Sequence, residues 1–255
     1  MRQLDFWKET IGNADIIKSV ADGSNDSTHP VMKDHLWINQ DRSPGNGNDD
    51  GGNGYVDDVY GYNFLMGHAG VSPIRHGTHV SGIIAASNNN GTGVSGIAGG
   101  NGTPGSGVKL MSCQIFEYYP GTTTEYGTNG SNIAAAIKYG ADNGAVISQN
   151  SWGYEGDIEK VYKDAIDYFV DYAGCDNDGN QLPGSPMKGG IVLFAAANDS
   201  DPNPKKSAPA QYEKVLGVAS LGPDLKKSPS SAYGDFIDIC APGGISFTSA
   251  GGVWS

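Results

Sequence analysis

Along the second half of the chain, short apolar runs alternate with stretches in which apolar residues recur at helical spacing. VKLMSCQIF (108–116) reads as a strand and SNIAAAIKYGADNG (131–144) as a helix closing near Gly144. AVISQN (145–150) is the next strand, and DIEKVYKDAIDYFVDYAG (157–174) has the period of an amphipathic helix. IVLFAAAN (191–198), VLGVAS (215–220) and FIDICAPG (236–243) continue as strands, and near the start IIKSVAD (16–22) is an apolar stretch ending in an acid. Strands alternating with helices predict parallel βαβ units, and so an α/β fold of three layers: a mostly parallel twisted sheet with helices on its faces. Sites in such sheets form beyond the carboxyl ends of the strands. The polar punctuation there, Ser151-Trp152-Gly153 and Asn198-Asp199, is where chemistry is expected.

Composition narrows the class. With 255 residues, no internal repeat and no linker long enough to divide it, the chain is expected to form one domain spanning 1–255. The 39 glycines indicate many loops and turns. A formal charge of −12 argues against nucleic acid and against an anionic membrane surface as partners, and suits clustered carboxylates that hold cations. No apolar run approaches the ~20 residues needed to cross a bilayer, and MRQLDFWKET lacks the layout of a signal peptide. Cys113, Cys175 and Cys240 are too few and too scattered for a disulfide framework or a zinc site. Cys113 and Cys240 lie in strand-like runs and read as small buried hydrophobes.

The stretch RHGTHVSGIIAAS (75–87) places His76 and His79 three residues apart, ahead of an apolar run. Such a pair shares a helical face, but zinc needs a third or fourth protein ligand, and His29, His35 and His68 stand in no ligand spacing. The alternative is a catalytic base, and the company of His76 favours it. Upstream, VADGSNDSTHP carries Asp22; downstream, NSWG, AAAN and SAYGDFIDICAPGG follow in that order. From about Asp22 to its end the chain resembles the subtilisin-like serine peptidases, with HGTHVSG the most specific of these segments.

The resemblance implies an endopeptidase with an Asp-His-Ser triad. His76 corresponds to the general base, Asp22 to the acid that orients it, and Asn198 to the donor that stabilises the oxyanion. Ser151, Trp152 and Gly153 correspond to the segment that pairs with an extended peptide substrate, and His79 to a residue packed beneath the base. The family's Asp-Thr-Gly reads Asp22-Gly23-Ser24 here, which predicts a looser turn. Its usual glycine before the oxyanion asparagine is Ala197, whose β-carbon narrows the backbone's freedom. Asp26 is a rival for the acid; Asp22 is preferred because it directly follows the apolar run and stands at the family's distance before Thr28-His29-Pro30. Secretion or a cell-envelope location, and a propeptide partner, are further habits of the family that this composition permits.

The family's nucleophile lies in a Gly-Thr-Ser-Met-Ala segment opening a buried helix. APGGISFTSAGGVWS contains none, and Ser249 matches a Ser-Thr pair that normally precedes the nucleophile. The expectation is a peptidase domain without its nucleophile helix, inactive as it stands and with part of its core uncovered. The competing class is a non-catalytic peptide-binding or calcium-stabilised module.

One stretch stands apart. DRSPGNGNDDGGNGYVDDVYG (41–61) interleaves acids and amides with glycines, and Asp49-x-Gly-x-Asn53-Gly-x-x-Asp57, followed by Asp58, resembles the first part of an EF-hand loop. Calcium wants six to eight oxygens, and glycines permit the tight turns that bring them together. Asp49, Asn53, Asp57 and Asp58 are the candidate ligands of a structural calcium ion.

Overall fold

The computed structural model describes residues 3–40, 43, 45–122, 124–244 and 253. Its centre is β1 (Ile17–Asp22), which pairs in parallel with β3 (Lys109–Gln114) on one side and β6 (Ala145–Asn150) on the other. β2 (Gly61–Asn63) lies outside β3, and β7 (Ile191–Ala195), β8 (Leu216–Leu221) and β9 (Ile239–Pro242) continue beyond β6. The seven-stranded order is β2-β3-β1-β6-β7-β8-β9, with every pairing parallel. After β1 the chain builds to one side and then returns to build on the other, so the strand order reverses around β1. A crevice opens at such a reversal, outside the carboxyl ends of the strands.

Helix α2 (Arg75–Ala85) packs on one face of the sheet against β1 and β3; α1 (Gln3–Glu9) precedes the sheet. On the other face lie α3 (Gly130–Asp142) and α4 (Lys160–Tyr172). The Asn129 carboxamide accepts the Asn132 N–H at 3.0 Å to start α3, and Gly144 follows it at φ +86°, a conformation glycine adopts without strain. In α4 the buried Tyr162, Ala165, Ile166 and Phe169 recur at i, i+3, i+4 and i+7 and press against Val192 and Phe194 of the sheet. Burial of a side chain such as Ile166 or Phe169 contributes about 1.5–3 kcal/mol.

Two expectations need correction. The run 108–116 is not one strand: β3 stops at Gln114, where the Ile115 N–H bonds to the Asp22 carbonyl. Phe116–Tyr118 (β4) then leaves the sheet to pair antiparallel with Glu125–Gly127 (β5) in a separate hairpin. Cys240 is exposed, unlike Cys113, because β9 is the outermost strand. Successive side chains of a strand point to opposite faces. Val192 and Phe194 fill the core beneath α4, while Ile191, Leu216 and Ile239 are 37%, 40% and 56% exposed. Among the described residues no helix covers this second face of β7–β9.

Candidate active site

Asp22 is the last residue of β1 and is fully buried. Its Oδ1 accepts the N–H of Gly23 at 2.7 Å and stands 2.7 Å from Nδ1 of His76, the second residue of α2. The loop after β1 and the start of α2 are laced together: the Ile74 N–H bonds to the Ser24 carbonyl at 3.1 Å, and the Asp26 N–H to Thr78 Oγ1 at 3.0 Å. Asp26 turns its carboxylate to Thr28 instead. Of the two acids, only Asp22 meets the imidazole.

Two glycines allow this approach. A β-carbon on Gly77 would fall inside the Gly23 carbonyl and 2.8 Å from the Ser24 oxygen, so α2 reaches the end of β1 only because residue 77 has none. A β-carbon on Gly23 would collide with the Ile74 side chain. The turn after Asp22 is therefore not loose, as the missing threonine suggested: Ile74 fills the space. The Ile74 role carries no signal in the sequence, whereas Gly77, a glycine inside a helix next to a candidate base, could have been flagged.

Electrostatics follow from this geometry. Burial pushes the Asp22 carboxyl up from its ordinary value, opposed by the hydrogen bond from His76. The bond to Asp22 raises the His76 pKa above its ordinary value, against its own partial burial. The imidazole is thus a stronger base than free histidine. Its side chain is 38% exposed, and the Phe116 ring lies against it with centroids 5.6 Å apart. Among the described residues no serine, threonine or cysteine is hydrogen-bonded to His76. Ser249 and Ser255 lie outside the described residues. His79 does not pack beneath the base; it is exposed, with Nε2 3.1 Å from the Val253 carbonyl oxygen.

Beyond the ends of β6 and β7, Ser151, Trp152, Gly153 and Asn198 line one cavity of about 330 Å³. Ser151, Trp152 and Gly153 make no loop hydrogen bond through their backbone among the described residues, and Tyr154 then closes a two-way bridge with Ala208. The Trp152 indole anchors the segment edge-on against Phe194, centroids 4.8 Å apart. Ala197 holds φ +76°, the left-handed region that favours glycine. The Ala196 N–H and the Ala197 carbonyl are tied to Val218 and Ala232, and these bonds hold the turn that presents Asn198. β1, β6 and β7 are consecutive in the sheet, so the Asp22–His76 pair and this cavity open at one edge, about 10 Å apart in strand spacing.

The acidic loop is organised otherwise. Asp49 accepts the N–H groups of Asn53 and Gly54, and Asp57 those of Asn46 and Gly47. Asp58 is buried, accepting from Asn39, Asn53 and the Tyr139 hydroxyl at 2.7 Å. Among the described residues no three His, Cys, Asp or Glu side chains converge as a cation cage. In this arrangement the four candidate ligands stabilise turns and a core contact.

Comparison with known proteins agrees with the geometry. The model of the subtilase family matches residues 14–253. Subtilisin-like protease 1 of Plasmodium falciparum is 28% identical over 244 residues, 94% of this chain and 30% of that protein. The halolysin-like extracellular serine protease Nep of Natrialba magadii is 29% identical over 246 residues, 93% of this chain and 36% of that protein. The chain thus spans about a third of the length of these relatives. Among solved structures, the prenylagaramide maturation protease PagA shares the fold with a TM-score of 0.63 at 22% identity, over 95% of this chain and 68% of that one. The match covers nearly the whole chain, the histidine helix and both neighbouring strand ends included: the chain belongs to the subtilase family.

Proposed function

We propose that this chain is the peptide-binding and acid–base portion of a serine endopeptidase. The observation that carries the reading is the 2.7 Å contact between buried Asp22 and His76 Nδ1 at the carboxyl end of the central strand. That bond leaves Nε2 to take the proton of a serine hydroxyl as its oxygen attacks the peptide carbonyl. Asn198 donates its carboxamide N–H to the oxygen as it becomes negative, and the imidazolium returns the proton to the leaving amine. Water, deprotonated by the same imidazole, then releases the acyl group. Ser151, Trp152 and Gly153 hold the substrate through backbone bonds of the strand-addition kind. The nucleophile is a serine outside the described residues. Fluorophosphonate labelling of this chain and of any longer product of its gene, with peptide mapping, tests the reading. A labelled serine supports it; a longer product that binds peptides without labelling makes the protein a non-catalytic peptide-binding module. In an active form, Asn198→Ala is expected to lower kcat by about 10²–10³-fold with KM little changed, the cost of losing one such donor in a subtilisin.

The substrates proposed are peptides or proteins, with a propeptide as a further partner. A secreted or cell-envelope location is proposed from the extracellular relative; among the described residues no helix is long and apolar enough to cross a membrane. Calcium is proposed for the acidic loop on its composition alone. A cation there must recruit Asp49 and Asp57 from the backbone amides they now accept. Millimolar calcium is expected to raise the melting temperature by about 2–4 °C, the size of a 1 kcal/mol binding effect. An unchanged melt removes the proposal.

A further inference from the structure

The hairpin of β4 and β5 carries a charge that the mechanism above does not use. Its register sets Phe116 opposite Gly127, Glu117 opposite Tyr126 and Tyr118 opposite Glu125. Partners opposite each other in an antiparallel pair share a face, and alternate residues along a strand change face. Phe116, Tyr118 and Glu125 therefore stand on one side, and this is the side that lies against His76, because the Phe116 ring touches the imidazole. Glu117 and Tyr126 take the opposite side, where the Tyr126 hydroxyl lies 3.5 Å from Glu117 Oε2. Tyr118 packs partly into the core beside Phe116, whereas Glu125 is exposed.

The Glu125 side chain forms no ion pair or hydrogen bond with another described residue. Arg75, the cation next to His76 in the sequence, is exposed and forms no ion pair with it. The Glu125 charge adds, as a minor cause, to the rise of the Asp22 and His76 pKa values. An unneutralised acid beside two aromatic rings, on the hairpin face that meets His76, fits a long cationic side chain: the head meets the carboxylate and the methylene stem lies on the rings.

The position follows from strand geometry. If the residue whose carbonyl is attacked turns its side chain into the cavity of Ser151–Gly153 and Asn198, the residue before it points the other way, towards His76 and the hairpin. We infer that Glu125, with Phe116 and Tyr118, selects peptides carrying lysine or arginine at the residue immediately before the one whose carbonyl is attacked. This deepens the peptidase reading and rests on it.

The test uses this chain and peptides identical except for lysine, norleucine or glutamate at that residue, with binding followed by NMR shifts of the groove amides. Lysine is expected to bind about fivefold more tightly than norleucine, the upper range for an exposed ion pair, and glutamate more weakly than either. High salt should shrink the preference. Glu125→Gln should abolish it while norleucine binding stays as in the parent. Equal affinity for lysine and norleucine in the parent chain, or a preference that survives Glu125→Gln, overturns the inference and leaves the groove standing. If none of the peptides binds, the groove itself is refuted and the inference falls with it.

Discussion

In an active form of the proposed peptidase, Asp22→Asn is expected to lower peptide hydrolysis by about 10⁴-fold, the cost of presenting the base in the wrong tautomer. The amide keeps the shape of the carboxylate but removes the charge that holds Nδ1–H and stabilises the imidazolium. Because the bond to Asp22 raises the His76 pKa, its loss should move that pKa down, readable by NMR in this chain without any turnover. A general base acts deprotonated, so the rising limb of the rate profile should shift to lower pH even as its plateau falls. Stability should move the other way. Burial raises the Asp22 pKa in the folded protein, so ionised Asp22 costs stability once pH climbs above its ordinary value, 3.8. Its Oδ2 has no hydrogen-bond partner among the described residues, consistent with that cost. The amide variant should therefore melt at or above the parent temperature near neutral pH. A variant with full activity, or an unmoved His76 titration, would sink the assignment of Asp22.

Gly77→Ala sets two effects against each other. Alanine is favoured over glycine inside a helix by about 1 kcal/mol, so propensity predicts stabilisation. The contact predicts the reverse, because the new β-carbon would enter the Gly23 carbonyl and crowd the Ser24 oxygen, both backbone atoms of the segment that follows the acid. Backbone cannot rotate aside as a flexible side chain can, so α2 must back away. Overpacking of this kind costs about 1–3 kcal/mol, and displacement of the base by ~1 Å costs on the order of 10²-fold in rate. The variant should melt lower, and its His76 pKa should drop towards the ordinary value as the bond to Asp22 lengthens. A higher melting temperature with an unchanged His76 titration would show that helix and strand do not approach as described.

How far the site was legible depends on the kind of contact. Asp22, His76 and Asn198 stood out because each follows or opens a strongly patterned element, and because HGTHVSG is a dense local motif. The departures were read less well. The replacement of threonine by Gly23 suggested slack, yet Ile74, fifty-one positions later, takes up the room. Ala197 was rightly singled out: it holds a glycine-like backbone angle, kept by bonds to Val218 and Ala232 from other parts of the chain. The hairpin with Phe116 and Glu125 was missed because 108–116 reads as one strand-like run with no turn residue before Phe116, and hydrophobic periodicity alone does not say where a chain leaves a sheet.

The alternation of strands and helices along the chain was enough to determine a parallel sheet and its carboxyl edge as the place for chemistry, since those follow from local period and right-handed connection. Local pattern carries no information on which distant backbones come into contact. The close approach of α2 to β1 through Gly77 and the choice of Asp22 over Asp26 were decided only when the chain closed around β1, because each depends on atoms from residues fifty-four positions apart, and the face on which Glu125 stands was decided by the contact of Phe116 with His76, forty positions away.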